Sequence, residues 1–302
     1  MLKSILFLLL PYLAISQPVL FYNVENLFDT LHDYGHADED FLPEGPRQNN
    51  SITYWLKIRQ TARALRLAHV QSPTPPLVIG LAEVETYGAL LALSRHAALR
   101  SLGPWQPVLY DSRDSRGIDV AALVHEEVVI LQSHTLRMPE AWHTRDPLFL
   151  RLLWPDSTLS QLVFIHLPSK RGGAQQSHHK RMRVLEKIMS SLDTCQTPTL
   201  LAGDFNTEPT PNMMTLATAH HWELASMNGA QKGTYKYRGR WNELDWAMVK
   251  NGEVQGEILA PHALLENDKK WGGKKPKRSW IGHRFSFGYS DHLPVYFLMC
   301  GN

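Results

Sequence analysis

The chain has 302 residues, 43% hydrophobic and 20% charged, with a net charge of +2. That composition suits a soluble globular protein with a large core, and the near-neutral balance excludes wholesale nucleic-acid coating as its task. No Pro/Gly/Ser linker, low-complexity tract or internal repeat divides it, so one compact domain is expected over 17–302.

Residues 1–16 stand apart. Lys3 precedes an apolar run, Ile5–Leu10, and Ala14-Ile15-Ser16 offers small residues where a signal peptidase reads. The run is too short to cross a bilayer, so a secretory signal is expected, with export to a periplasm or the outside and no membrane span afterwards. Cys195 and Cys300 lack any metal-site spacing. An oxidising compartment permits one disulfide between them, and the sequence does not say whether they approach.

The mature chain opens with a short apolar run, Val19–Tyr22, that ends in Asn23-Val24-Glu25-Asn26. Residues 29–50 are acidic and turn-rich and read as a surface loop. Trp55, Ile58, Ala62 and Leu65 space an amphipathic helix over Tyr54–Val70, stopped by Pro73, Pro75 and Pro76. Leu77–Ala82 is a buried-strand candidate that terminates at Glu83, and a helix follows over Tyr87–Leu99. Trp105–Tyr110, Ile118–Val124, Val128–Leu131, Leu148–Trp154 and Leu159–Ile165 are successive strand-like runs.

A helix is expected over Gln175–Leu192, then the strand Thr199–Ala202, broken at Gly203 and followed by Asp204 and Asn206. Period-two geometry puts that carboxylate and carboxamide on one side of the chain as it leaves the sheet. Taken alone, GDFN reads equally as a polar turn. A short helix over Asn212–His220 and strands over Leu244–Val249 and Leu293–Met299 complete a tally of about ten strands and four helices. The mixture predicts two packed sheets with helices outside, and neither a barrel nor a doubly wound sheet.

The polar residues that interrupt these runs share a position. Asn23, Glu83, His166, Asp204 and Asp291-His292 each end an apolar strand, while Asp245 stands inside one and, as a buried carboxylate, needs a partner. Strands opening on one edge would gather them there. With these residues the chain resembles the endonuclease/exonuclease/phosphatase superfamily. FYNVEN, LAEVE, GIDVAALV, FIHLPSKRGG, LAGDFNTEP, NELDWAMV and GYSDHLPVYF follow that family's motifs in its order, from about Val19 to the C-terminus.

The resemblance implies an α/β (α+β) DNase I-like four-layer sandwich, two packed mixed β-sheets flanked by helices, with a divalent-metal phosphoesterase site at one edge. It implies Glu83 as a ligand of Mg²⁺ (or Mn²⁺ or Ca²⁺), with Asn23 and Asp291 close to the ion. Asp204 matches the aspartate that orients or deprotonates the attacking water, and Asn206 the amide that steadies water and phosphate. His292 matches an imidazole paired with Asp245, and His166 a second histidine whose orienter aligns with Asp119. Glu25 either helps the site or caps a turn.

The implied substrate is a nucleic-acid phosphodiester, cleaved with little base specificity by a monomer with no stable protein partner. Lys170 and Arg171, beside His166, and Arg116, ahead of Asp119, are expected to meet phosphate, as is Asn23. Further positive charge gathers at Lys180-Arg181-Arg183 and over Lys269–Arg278, where basic residues around Trp271 and the nearby Trp280 could grip a polyanion and stack a base; such runs are at least as often plain solvated surface. The rivals are a secreted sphingomyelinase-like lipid phosphodiesterase, a sugar or inositol phosphate phosphatase, and a family member that binds without cutting. Fold alone does not choose among them.

Overall fold

A computed structural model describes residues 16–169 and 173–301; the signal segment, apart from Ser16, lies outside them. Ser16–Leu27 is the central strand of a seven-stranded sheet, parallel to Val78–Val84 on one side and antiparallel to Val295–Gly301 on the other. Beyond these lie Asp119–His125 and Trp105–Leu109 in one direction, and Gly252–Ile258 and Ser226–Asn228 in the other. Its inner strands are buried on both faces, which explains why they read as continuous apolar runs.

A six-stranded sheet packs against the first. Its centre pairs Leu159–His166 in parallel with Thr199–Asp204, which pairs antiparallel with Asp245–Lys250. Alternation along these strands sorts the two faces. Leu162, Phe164, Leu200, Ala202, Ala247 and Val249 enter the core shared with the first sheet. Val163, Ile165, Leu201, Trp246 and Met248 face the helices Ala174–Ser191 and Pro211–Ala219. Ser51–Gln71 and Tyr87–Arg95 cover the outer face of the first sheet through Ile58, Leu65, Leu90 and Leu93.

The four layers are therefore helix, sheet, sheet, helix. Gly80 marks how closely the sheets approach, since a Cβ there would lie 2.4 Å from the Phe164 ring. The helix starts follow side-chain capping: Asn50, Thr86 and Thr210 accept from the backbone N–H of Thr53, Ala89 and Met213.

Departures from the sequence expectations are local. The helix expected over Tyr87–Leu99 breaks at His96, whose extended backbone separates Tyr87–Arg95 from Ala97–Arg100. Three short hairpins were missed, pairing Tyr235–Tyr237 with Arg240–Asn242, Leu265–Asn267 with Lys274–Pro276, and Trp280–Ile281 with Arg284–Phe285. Cys195 and Cys300 are both free thiols.

Candidate active site

Where Ser16–Leu27 meets its neighbour the ladder slips. Asn23 pairs with Ala82 but Leu27 pairs with Val84, and the other side of Val78–Val84 also shifts between Ala82 and Val84. Bulges of this kind re-aim side chains at sheet ends. Glu25 (φ 53°), Asn26 (φ 58°) and Glu83 (φ 67°) all adopt left-handed backbone there, as does Asn206 (φ 54°) beyond Thr199–Asp204. A non-glycine in that region is strained and persists only where its surroundings enforce it. Asn26 N–H donates to Glu83 Oε2 at 2.9 Å, and Asn206 N–H to Asp204 Oδ1 at 2.7 Å.

These strand ends open on a cleft of about 680 Å³. Glu25, Glu83, Asp204, Asp291, His166 and His292 lie on its walls, with Asn206 and Arg116. The structure thus gathers residues from Glu25 to His292 at one sheet edge. At the centre stands Asp204, 1% exposed, its Oδ2 accepting from Asn23 Nδ2 at 3.0 Å and lying 3.6 Å from His166 Nε2 and 3.9 Å from His292 Nε2. Burial first, and Asp245 second, raise its carboxyl to about 7.

The surroundings of the two histidines shift them in opposite directions. Burial opposes the charged form of His292, but the carboxylates of Asp245, 2.7 Å from Nδ1, and Asp204 outweigh it and raise its pKa well above the usual range. For His166, burial leads and Arg145, Arg116 and His292 add to it, so its pKa falls well below the usual range. An imidazolium and a neutral imidazole facing one carboxylate are the divergent environments that separate acid and base roles. Among the described residues His166 Nδ1 has no hydrogen-bond partner, so its expected orienter is not engaged. Asp119 instead accepts from Ser112 N–H at 3.0 Å, and its carboxyl, away from the cleft wall, is raised to about 7 chiefly by burial.

Asn23 also differs from the expectation. It is 1% exposed and absent from the cleft wall. Its Oδ1 accepts from Glu25 N–H at 3.0 Å while Nδ2 holds Asp204, so it braces the floor instead of facing a ligand. Glu25 is the residue that sequence reasoning left open. Its carboxylate, 2% exposed, accepts from Ser279 N–H at 2.5 Å and from Arg278 at 3.2 Å, and Arg278 also reaches Asp291 at 3.0 Å. Burial and then Asp291 raise it to about 7.

Arg116 lines the cleft and Arg145 lies behind it, 3.1 Å from Asp114, unforeseen from the sequence. Trp280, expected as a stacking surface, is 3% exposed and packs with Phe28 and Phe41. Lys170 and Arg171 lie outside the described residues.

Among the described residues, two donor sets at the cleft could take a cation. Asp204, Asp245 and His292 each place a ligand atom within 4.8 Å of the others, but His292 Nδ1 is already committed to Asp245. Glu25, Glu83 and Asp291 line the cleft and offer oxygen alone, with like-charge repulsion between Glu25 and Asp291, which Arg278 bridges. Carboxylate oxygen is what a hard divalent ion prefers, so the second set suits such an ion in donor chemistry, while the first has the closer spacing.

A family model described as endonuclease/exonuclease/phosphatase family matches residues 18–300. Among solved structures, an endonuclease/exonuclease/phosphatase family protein of Bacteroides thetaiotaomicron is 13% identical with a TM-score of 0.62, covering 95% of this chain and 98% of that one. The mannosyl-6-phosphatase Bt3783 of the same organism is 13% identical with a TM-score of 0.59, covering 94% and 99%. A truncated Caenorhabditis elegans TDP2 is 14% identical with a TM-score of 0.57, covering 95% and 98%. No curated protein sequence matches the chain. At these identities the shared property is the fold.

Proposed function

The chain belongs to the endonuclease/exonuclease/phosphatase family, a group of phosphoester-hydrolysing enzymes with the DNase I-like fold, and from that premise we propose that it is an exported, divalent-metal-dependent phosphodiesterase that cuts nucleic acid. The observation that carries the hydrolytic reading is the convergence of Asp204, His292–Asp245 and His166 on the floor of one cleft.

Asp204, with a carboxyl near 7, accepts a proton from an attacking water at neutral pH. Asn23 Nδ2 and Asn206 N–H fix its two oxygens, which aims it. His292, held as imidazolium by Asp245, supplies a proton to the departing oxygen, and the neutral His166 donates a hydrogen bond to phosphoryl oxygen or carboxylate from Nε2. Glu83 and Asp291, with Glu25, would hold a Mg²⁺-type ion, whose charge stabilises the phosphoryl oxygens. Arg116 and Arg278, both on the cleft wall, add positive charge where phosphate enters.

A nucleic-acid substrate is supported by Tyr235 and Tyr237, which line the cleft together with these arginines; rings with cations suit bases linked by phosphate. A sugar phosphate is the second reading, because a cleft of about 680 Å³ is sized for a small ligand.

The test is to incubate the purified chain with plasmid, RNA, sphingomyelin and a hexose 6-phosphate, with Mg²⁺ or with chelator. Nucleic-acid cleavage that stops on chelation and in Asp204→Ala supports the proposal. Turnover of the lipid or the sugar phosphate alone overturns the substrate and leaves the hydrolytic site standing.

A further inference from the structure

Two of the hairpins form one platform beside the cleft. Lys236, on Tyr235–Tyr237, turns under: its Nζ lies 3.2 Å from Asp268 Oδ2 and donates to Gly272 O at 2.6 Å, both on the hairpin Leu265–Asn267/Lys274–Pro276. Asp268 Oδ1 accepts from the backbone N–H of Lys270 and Trp271, which holds the turn that carries the indole. Gly239, in left-handed backbone (φ 84°), lets the two hairpins meet, since a Cβ there would lie 3.2 Å from Trp271 Cβ.

With Lys236 pointing one way, alternation points Tyr235 and Tyr237 the other way, and both line the cleft. The Tyr235 ring is 5.1 Å from that of His292. Tyr237, on the cleft wall, is 55% exposed, and Trp271, on the neighbouring turn and off the cleft wall, is 51% exposed. Two exposed rings therefore stand on the hairpins beside the cleft. Cations accompany them: Arg238 lies 5.2 Å over Tyr237, Lys270 lies 5.3 Å over Trp271, and Lys269 and Lys274 are exposed nearby.

We propose that this platform binds single-stranded nucleic acid beyond the scissile phosphate, with bases stacked on Tyr237 and Trp271 and backbone phosphates on Lys269, Lys270 and Lys274. The inference rests on the nuclease reading above and deepens it. Base stacking tolerates any sequence because every base has a π-face, and phosphate contacts release counterions. A sugar phosphate filling the cleft ends short of Trp271. A bilayer fits less well, because the turn Lys269-Lys270-Trp271-Gly272-Gly273-Lys274 offers one ring among ammonium groups and no apolar run to bury.

The test is fluorescence anisotropy of a labelled oligo-dT with the full chain in chelator, so that binding is read without cleavage. Trp271→Ala is expected to weaken binding by roughly tenfold to a hundredfold, with Trp271→Phe retaining most of it. Changing Lys269, Lys270 and Lys274 together to Ala is expected to flatten the log–log salt slope by about 2. Unchanged binding in Trp271→Ala overturns the platform, whether or not the protein cuts plasmid. Wild-type binding to anionic phosphatidylglycerol vesicles and not to the oligonucleotide also overturns it and makes the surface a membrane contact. Trp271-dependent oligonucleotide binding without cleavage of any nucleic acid supports the platform and rejects the nuclease.

Discussion

His292 Nδ1 lies 2.7 Å from Asp245 Oδ2, and Asp245 is 0% exposed. The carboxylate that stands inside an apolar strand is thus matched by an imidazole just ahead of Val295–Gly301 in the other sheet, and each explains the other's burial. Their pairing fixes the ring's orientation, leaves Nε2–H for the cleft, and favours the charged form.

Asp245→Asn keeps the shape but removes the charge that outweighs burial at His292. The expected result is a fall in turnover of about 10²–10⁴-fold with an unchanged circular dichroism spectrum. The alkaline limb of the pH–rate profile should move to lower pH, because the imidazolium loses its proton more readily. An unchanged profile would show that His292 does not titrate in the rate-limiting step.

Much of this site is legible in the sequence because its residues sit where apolar strands stop, as in LLAGD and LAEVE. What stayed hidden depends on tertiary placement. Glu25 reads equally as a helper of the site or a turn cap until the bulge and Arg278 show it buried. Lys57, on the helix Ser51–Gln71, carries a charge that helical spacing does not mark for burial, yet it is 1% exposed. The hairpins flanking the cleft are strands of two or three residues, too short for any periodicity to register.

Asp119 separates the resemblance from the geometry. As it orients Ser112 and not His166, Asp119→Asn should lower turnover by no more than about threefold, against the 10²-fold expected for loss of an acid–base partner. Stability gives an independent readout. Burial raises the folded carboxyl from 3.8 to about 7, so between those values the folded state holds a proton that the unfolded chain has lost. Stability from this group is therefore fully present below about 4 and declines as pH rises towards 7. Asp119→Asn should remove that decline, which urea unfolding at pH 5 and pH 7.5 would detect.

Glu25 is predicted to act through the cation. Glu25→Gln keeps the acceptor for Ser279 N–H but removes one of the three carboxylate charges offered by Glu25, Glu83 and Asp291. The Mg²⁺ concentration for half-maximal activity should rise by about 10–100-fold, with turnover at saturating metal recovered in large part. Loss of activity that no metal concentration restores would instead place Glu25 in the chemistry.

Lys57 ties three segments together from below. Its Nζ donates to Val24 O at 2.5 Å, to Ser279 Oγ at 2.5 Å and to Tyr289 O at 3.0 Å, joining the helix Ser51–Gln71 to the strand end that carries Glu25 and to the chain beyond Arg278. Burial lowers its pKa to about 8, and the charges of Glu25, Asp291 and Glu83 oppose that fall. Lys57→Met fills similar volume but strands buried acceptors and leaves the acidic wall with less compensating charge. It should cost about 3–5 kcal/mol in urea unfolding, as expected when one member of a buried charge pair is removed. Adding Glu25→Gln to Lys57→Met should recover part of that loss, since a neutral amide no longer needs the ammonium. Strict additivity of the two changes would mean that the lysine stabilises the fold through its hydrogen bonds alone.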